Sequence, residues 1–157
     1  MADQLALFGQ PQQELSSDDY YTPRWIFDAL GVTFDLDVAS PPGGPPFTPC
    51  RRYYTQADDG LASPWEGLVW MNPPYSKPAP WVEKWIRHAN GFALLPTNGG
   101  KWCGDLWASK AVGVWLGRLA FVRNNSEKSG SPLNIVLWAI GERGHETLYN
   151  ANLGAVR

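Results

Sequence analysis

Residues 67–76 read GLVWMNPPYS, an apolar run that stops at an asparagine, two prolines and a tyrosine. The run at 67–71 predicts a short buried strand. Pro73 and Pro74 remove two successive backbone N–H donors and hold φ at about −65° at both positions. The segment after the strand is therefore rigid and offers carbonyl oxygens without competing donors, which is more than a turn requires.

Strand and helix patterns alternate on both sides of this stretch. Upstream, Thr22 as N-cap, Pro23 in the first helical position and Gly31 as terminator predict a short helix. The alternating apolar residues of 32–40 predict a strand after it. Downstream we expect, in chain order, a helix at 78–90, a strand at 92–96, a helix at 101–111, and strands at 112–116, 119–123 and 134–140.

This order predicts an α/β fold, a compact three-layer sandwich with a mostly parallel sheet. We expect the last two strands to form a C-terminal antiparallel hairpin across the turn-rich link NNSEKSGSP. Residues 41–65 carry many prolines and glycines, so they predict a long loop region without a long helix. The 157 residues suit one domain, which we place at 20–157, after a polar, flexible tail at 1–19.

The composition narrows the class of protein. Hydrophobic residues make up 44% and charged residues 18%, which predicts a globular chain. The formal net charge is −2, so any contact with nucleic acid must come from a local basic patch. Cys50, Cys103, His88 and His145 show none of the usual zinc spacings, which favours two free thiols. No signal peptide and no membrane-spanning run is visible, so we expect a soluble intracellular protein.

The segment NPPY suits one kind of chemistry. In an open α/β sheet, ligands bind at the carboxyl ends of strands, where Asn72 stands. The nitrogen lone pair of an aromatic amine, such as that of adenine, is delocalised and attacks poorly. The side-chain oxygen of Asn72 and the carbonyl of Pro73, steadied by Pro74, can accept the two amine hydrogens and free the lone pair to attack a methyl sulfonium.

Tyr75 can stack on a base that is flipped out of a duplex. This mechanism relies on positioning and requires no metal and no covalent intermediate. A polar turn that merely ends a strand is the simpler alternative for the same four residues.

The pieces of the chain, in their order and spacing, resemble the small phage-type DNA N-6-adenine methyltransferases, the Dam-like phage family. The matching pieces are YYTPRWIFDALG, FDLDVAS, the DDGL–W segment before WMNPPYS, WVEKW, ALLPTN–KW and GRLAF. The resemblance implies a Rossmann-like methyltransferase fold with S-adenosylmethionine as the donor. It also implies site-specific methyl transfer to the exocyclic amine of a flipped adenine in double-stranded DNA.

The resemblance also implies where the donor binds. The candidate cofactor-binding residues are Tyr21, Thr22, Pro23, Asp35, Asp37, Ala39, Asp58 and Asp59. Asp35 and Asp37 alternate with apolar residues and would share one strand face, and Asp37 is the preferred contact to the donor's amino group. The alternatives are an exposed polar strand face for this pair and a solvated loop for Asp58 and Asp59. The glycine-rich turn FxGxG of many methyltransferases is absent, and VASPPGG takes its place.

The chain has no room for a separate target-recognition domain, so we expect loops 41–57 and 124–131 to read DNA. The candidate phosphate contacts are Arg51, Arg52, Lys77, Arg118 and Arg123, each of which is alternatively a plain surface charge. Other functions stay open at this point. They are N4-methylation of cytosine, methylation of RNA or protein, and a catalytically silent DNA-binding module of the same fold.

The tail carries one motif of its own, QLALF. Its residues Gln4, Leu5, Leu7 and Phe8 resemble the short peptide by which bacterial DNA-processing proteins bind the replication sliding clamp. The alternative is a stray apolar patch. The family resemblance further implies a phage or prophage gene and a location in the cytoplasm of the bacterial host.

Overall fold

The computed structural model describes residues 21–97, 99–122 and 128–157, and for 128–132 the backbone alone. In chain order the elements are α1 (Arg24–Leu30), β1 (Phe34–Asp37), β2 (Cys50–Tyr53), a 3-10 turn (Gln56–Asp58), β3 (Val69–Met71), α2 (Ala79–His88), β4 (Gly91–Pro96), α3 (Lys101–Ala108), β5 (Val112–Val122), β6 (Lys128–Ile140) and α4 (Glu142–Asn150). The predictions made for the tail at 1–19, for Arg123 and for positions 124–127 of the link lie outside the described residues.

The strands of the described residues form one six-stranded mixed sheet in the order β2-β1-β3-β4-β6-β5. The first four strands in this row run parallel, whereas β6 pairs antiparallel with both β4 and β5. The predicted α/β class, the mostly parallel sheet and the C-terminal antiparallel hairpin are confirmed. Because the chain places β2 on one side of β1 and β3 on the other, the strand order reverses between β1 and β3. Ligands of open α/β sheets bind outside the carboxyl ends of the strands at such a reversal.

Apolar side chains of the central strands alternate between two cores. On β4, Phe92 and Leu94 pack with residues of α1 and α4, whereas Ala93 and Leu95 pack with residues of α2 and α3. Successive side chains of a strand point to opposite faces, so each pair of helices covers one face of the sheet. Burial on both faces explains why this strand reads as a continuous apolar run in the sequence.

The start of α1 differs from the prediction. The helix begins at Arg24 with Pro23 as its N-cap and makes no side-chain capping hydrogen bond, so Thr22 is not the cap. Thr22 lies one position too early to cap α1, and its hydroxyl contacts another segment instead. Gly31 ends the helix as predicted, with a φ of 63° that glycine adopts without strain.

Two elements were missed and two were merged. Strand β2 lies at the sheet edge with three exposed residues, so it carries no apolar run. Helix α4 buries only Gly144 and Leu148, too little for a clear helical pattern. The strands predicted at 112–116 and 119–123 are one strand, β5, whose pairing with β6 shifts register near Gly117. The φ of 68° at Gly117 bends the chain without ending the strand.

Gly60 permits a close crossing between the loop after β2 and the end of β1. A Cβ at this buried position would overlap the carbonyl oxygen of Val38. Because two backbone segments would have to move apart, we expect Gly60→Ala to lower the free energy of unfolding by about 1–3 kcal/mol. Chemical denaturation measures this change.

Gly104→Ala is the matched control. Gly104 lies within α3, and a Cβ there meets nothing within 4 Å. Alanine in an open helical position should raise the free energy of unfolding by about 0.5–1 kcal/mol. A Gly60→Ala variant as stable as the parent would show that the loop does not press against β1.

Candidate active site

A cavity of about 720 Å³ opens at the carboxyl ends of β1 and β3. This volume lies within the range of about 300–1,000 Å³ that is usual for small-molecule sites. Its walls consist of Tyr21 and Thr22, residues 37–42, 45–48, 55–56 and 59–60, and Trp70, Asn72, Pro74 and Trp81. The cavity therefore brings together residues from both sides of the strand-order reversal, as the topology predicts.

Asp37 is a buried carboxylate in the wall of this cavity. Its residue surface is 3% exposed, and burial raises the pKa of its carboxyl to about 7. The backbone N–H of Ala39 donates to its Oδ1 at 3.1 Å, and a hydrogen bond with the Thr48 side chain also favours the charged form. Among the described residues, no lysine, arginine or histidine forms an ion pair with it. A buried carboxylate that lines a cavity without a cationic partner suits a cationic ligand group.

Asp35 does not accompany Asp37 into the cavity. Its Oδ2 accepts the backbone N–H of Leu68 at 2.7 Å, and its Oδ1 lies 3.7 Å from the Arg51 guanidinium. Asp35 thus does not line the cavity, and the shared strand face of the two carboxylates stays a prediction. The regular alternation breaks between Phe34 and Leu36, because Phe34 packs in the core with α1 and α4 whereas Leu36 packs in the core with α2 and α3.

Asn72 follows β3 directly and lines the cavity. Its Nδ2 donates to the Oγ1 of Thr22 at 3.4 Å. Of the two prolines that follow, Pro73 is buried and Pro74 belongs to the cavity wall. The Pro74 carbonyl accepts the N–H of Lys77 at 3.3 Å, whereas the part of the chain that the structure describes holds no hydrogen-bond donor to the Pro73 carbonyl. That carbonyl is the one predicted to accept an amine hydrogen.

Tyr75 does not belong to the cavity wall. Its hydroxyl donates to the carbonyl of Leu94 at 3.0 Å, and its ring meets Phe121 edge to face with 6.5 Å between centroids. Burial raises the pKa of the hydroxyl. The half-buried ring thus packs beside the core, and its stacking role stays a prediction.

Asp58 and Asp59 were both predicted to bind the donor, but only Asp59 lines the cavity. Asp58 closes its own 3-10 turn, where its Oδ2 accepts the N–H of Thr55 at 2.8 Å and the Thr55 hydroxyl at 3.0 Å. These hydrogen bonds lower the pKa of Asp58. Asp59 lines the cavity in a left-handed conformation with φ of 52°, and its Oδ1 accepts the N–H of Ala62 at 3.2 Å.

An aromatic stack supports the loop that carries Asp59. The indole N–H of Trp65 donates to the carbonyl of Gly60 at 2.7 Å, and its ring stacks on Trp81 with 6.4 Å between centroids. The Lys84 ammonium lies 4.7 Å from the centre of the Trp65 ring and donates to the Leu61 carbonyl at 2.8 Å. Desolvation lowers the pKa of Lys84, and the interactions hold this side of the cavity in place.

Sequence reasoning missed a large part of the cavity wall. The missed residues include Ser40, Trp81 and a wall of prolines around Phe47, which are Pro41, Pro42, Pro45 and Pro46. The signal was present, because proline pairs on both sides of Gly43-Gly44 make a rigid loop for the same reason as the pair after Asn72. We assigned this loop to DNA recognition, and the structure places its residues 41, 42 and 45–48 against the candidate site.

Four of the five basic residues predicted to contact DNA are described by the structure, and these four lie outside the cavity wall. Arg51 and Arg52 are exposed on β2, and Arg52 lies 3.4 Å from the Glu66 carboxylate. Lys77 is exposed just after the NPPY segment, and Arg118 is exposed on β5. Exposed ion pairs contribute only about 0–1 kcal/mol, so they would not prevent a phosphate contact. Arg123 is outside the described residues.

The described residues hold neither a cluster of metal ligands nor a membrane-spanning helix. Among the described residues, no group of three His, Cys, Asp or Glu side chains is arranged to hold a metal ion. Cys50 and Cys103 are free thiols, as predicted. No helix within 21–97, 99–122 or 128–157 has the length and apolarity to cross a membrane.

The clamp-binding motif of the tail has no structural account. Gln4, Leu5, Leu7 and Phe8 fall outside the described residues. Binding to a sliding clamp stays a prediction from the sequence.

Comparison with known proteins agrees with the resemblance. The family model of DNA N-6-adenine-methyltransferase (Dam) matches residues 11–137, so the chain belongs to this enzyme family. A DNA N-6-adenine-methyltransferase of Haemophilus phage HP1 is 27% identical over 139 residues, which cover 77% of this chain and 78% of the relative. A DNA N-6-adenine-methyltransferase of Escherichia phage T1 is 29% identical over 138 residues, which cover 71% of this chain and 57% of the relative.

Asp37 should make the stability of the ligand-free protein depend on pH. Its folded pKa of about 7 lies above the ordinary value of 3.8, so the stability that its neutral form contributes is lost as pH rises through about 7. We expect Asp37→Asn to gain stability relative to the parent between about pH 4 and pH 8, by a few kcal/mol, because one pKa unit corresponds to about 1.4 kcal/mol.

Denaturation of the two proteins across this pH range measures the difference. Asp28→Asn, which changes an exposed carboxylate on α1, controls for the loss of a surface charge. A stability difference between Asp37→Asn and the parent that stays constant from pH 4 to pH 8 contradicts the buried-carboxylate account.

Proposed function

We propose that this protein is a site-specific DNA adenine-N6 methyltransferase. It transfers a methyl group from S-adenosylmethionine to the exocyclic amine of an adenine flipped out of double-stranded DNA, on a Rossmann-like fold. Membership of the DNA N-6-adenine-methyltransferase family supports the substrate and the reaction. The observation that carries the proposal is the position of Asn72, which lies at the strand-order reversal in the same cavity as the buried carboxylate Asp37.

The volume of the cavity and its buried carboxylate support S-adenosylmethionine as the donor. S-adenosylmethionine supplies a methyl group on a positively charged sulfonium and also carries an ammonium group. Asp37 would face this positive charge, because a nearby cation favours the ionised form of a carboxylate and lowers the raised pKa. Tyr21, Thr22, Ala39 and Asp59 line the same cavity and are the further proposed donor contacts.

The NPPY segment would orient and polarise the target amine. Asn72 Oδ1 and the Pro73 carbonyl are both acceptors, and neither has another hydrogen-bond donor among the described residues. Two accepted hydrogen bonds draw the amine nitrogen out of conjugation with the ring, so its lone pair becomes available for attack. The prolines hold these acceptors before the substrate arrives, which avoids reorganisation during the reaction.

DNA would approach the open side of the cavity. Lys77 is the proposed phosphate contact nearest in sequence to the site. Its N–H closes a short turn that begins at Pro74, which belongs to the cavity wall. Arg51, Arg52, Arg118 and Arg123 remain proposed contacts of the same kind. The net charge of −2 predicts modest unaided affinity that falls with added salt.

Mass spectrometry of methylated DNA tests the proposal. Purified protein is incubated with isotopically labelled S-adenosylmethionine and unmethylated duplex DNA, and the DNA is digested to nucleosides. We expect labelled N6-methyldeoxyadenosine. Labelled N4-methyldeoxycytidine would show that the enzyme methylates the amine of cytosine instead of adenine. The absence of any labelled nucleoside would indicate a catalytically silent DNA-binding module.

Asn72→Ala should remove turnover and keep donor binding. The substitution deletes one preorganised acceptor, so we expect the turnover number to fall on the order of a hundredfold or more. Calorimetry should show donor affinity close to that of the parent. Asn90→Ala is the control, because Asn90 precedes β4 and so lies at the amino ends of the strands, opposite to the carboxyl ends where Asn72 lies. Near-normal methylation by Asn72→Ala would contradict the proposed mechanism.

Tyr75 can be tested with two substitutions. Tyr75→Phe keeps the ring but removes the hydrogen bond to Leu94, so we expect a stability loss of about 1 kcal/mol and nearly unchanged turnover. Tyr75→Ala removes the ring, and a stacking role predicts a severe loss because stacking contributes about 1–3 kcal/mol per base. Equal loss of turnover in both variants would assign the role to the hydroxyl.

A further inference from the structure

The Asn72 side chain can face a ligand in two ways that have opposite effects. Its Oδ1 accepts hydrogen bonds and its Nδ2 donates them, and a half-turn about the last side-chain bond exchanges the two. An amine that must give up its hydrogens needs the oxygen. If the nitrogen faced the amine instead, two donors would meet and the interaction would be repulsive. The proposed reaction therefore requires a contact that holds this amide in one orientation.

We infer that Thr22 is the positioning residue that holds the Asn72 amide with its oxygen toward the target amine. This inference rests on the proposed function and deepens it. From the sequence, Thr22 was predicted as a donor contact and as the N-cap of α1. The structure adds the contact between its Oγ1 and the Nδ2 of Asn72 across 50 positions of sequence.

The hydrogen bond between Thr22 and Asn72 supports this orientation. Thr22 is 5% exposed, and its Oγ1 accepts from Nδ2 at 3.4 Å. With the nitrogen taken by Thr22, the oxygen lies on the other side of the amide, and no donor to it occurs among the residues that the structure describes. When an amine binds in the cavity, both sides of the amide are satisfied only in this orientation, because the oxygen accepts from the amine and the nitrogen donates to Thr22.

The backbone around Thr22 is anchored on both sides. The N–H of Tyr21 donates to the carbonyl of Val122 at 2.8 Å, and the N–H of Val122 donates back to Tyr21 at 3.0 Å. On the other side, Pro23 is the N-cap of α1, whose side chains Ile26 and Phe27 are buried in the core. A hydroxyl held between a sheet edge and a packed helix can fix a partner side chain, which a mobile hydroxyl could not do.

Thr22→Val tests the inference because valine has the shape of threonine and no acceptor. We expect the turnover number to fall about three- to tenfold, the range of one lost neutral hydrogen bond. The turnover number is measured at saturating S-adenosylmethionine, and the KM for DNA should stay close to that of the parent. Thr22→Ser, which keeps the hydroxyl, should restore most of the lost turnover.

Thr22→Val can also be made in a protein that already carries Asn72→Asp. The comparison separates a loss of amide orientation from a general loss of structure. A carboxylate at position 72 has two acceptor oxygens and no wrong orientation. In an Asn72→Asp background, Thr22→Val should therefore change the turnover number much less than it does in the parent, which is a non-additivity that a purely structural role does not produce. Equal fold-losses in both backgrounds would overturn the inference. So would a Thr22→Val variant that weakens donor affinity and leaves the turnover number unchanged.

A spectroscopic test does not depend on turnover. The side-chain amide resonances of Asn72 in the ligand-free protein should shift in Thr22→Val and stay near the parent positions in Thr22→Ser. If the parent protein methylates no DNA, the proposed function fails, and these resonances still decide whether Thr22 holds the amide. Unchanged Asn72 resonances in Thr22→Val would overturn the contact itself.

Discussion

The candidate site depends on the parallel pairing of β1 with β3. Asp37 lies opposite Trp70 in this pairing, and the N–H of Val38 continues it by donating to the Trp70 carbonyl at 3.1 Å. Because the two strands run in the same direction, the residues that follow them emerge at the same edge of the sheet. A carboxylate from one strand and Asn72 from the other thereby line one cavity, although their positions are distant in the sequence. A slip of one residue would send the buried side chains of β3 to the wrong face.

The chain between these strands serves two purposes. A parallel pairing needs a crossover, and here the crossover contains β2 and the 3-10 turn as well as the proline loop. The same segment supplies most of the cavity wall. Gly60 lets it cross the end of β1, and the Trp65 indole holds the Gly60 carbonyl. The buried carboxylate of Asp37, which has no ion-pair partner among the described residues, lies beneath it at a cost in stability, which is typical of binding-site groups.

The sequence predicted what local pattern determines. The central strands were recognisable because both of their faces are buried, so the apolar runs are continuous, and Asn72 was found because two prolines follow it. Strand β2 was missed because an edge strand with exposed arginines carries no such run. Of the pair Asp35 and Asp37, Asp37 lines the cavity, whereas Asp35 accepts the N–H of Leu68 from a distant segment. Contacts between distant segments, such as Trp65 with Trp81, have no local signal.

The four residues of NPPY show why two prolines are needed. Asn72 lines the cavity, whereas the Tyr75 hydroxyl reaches the carbonyl of Leu94 on the neighbouring strand β4. The chain must therefore diverge within two residues, and a flexible link would let both side chains drift. Pro73 and Pro74 fix φ at the two positions between them, so the tyrosine contact also restrains the backbone that carries the amide. With Thr22 holding Nδ2, the amide is constrained through its backbone and through its side chain, from two segments that share no sequence proximity.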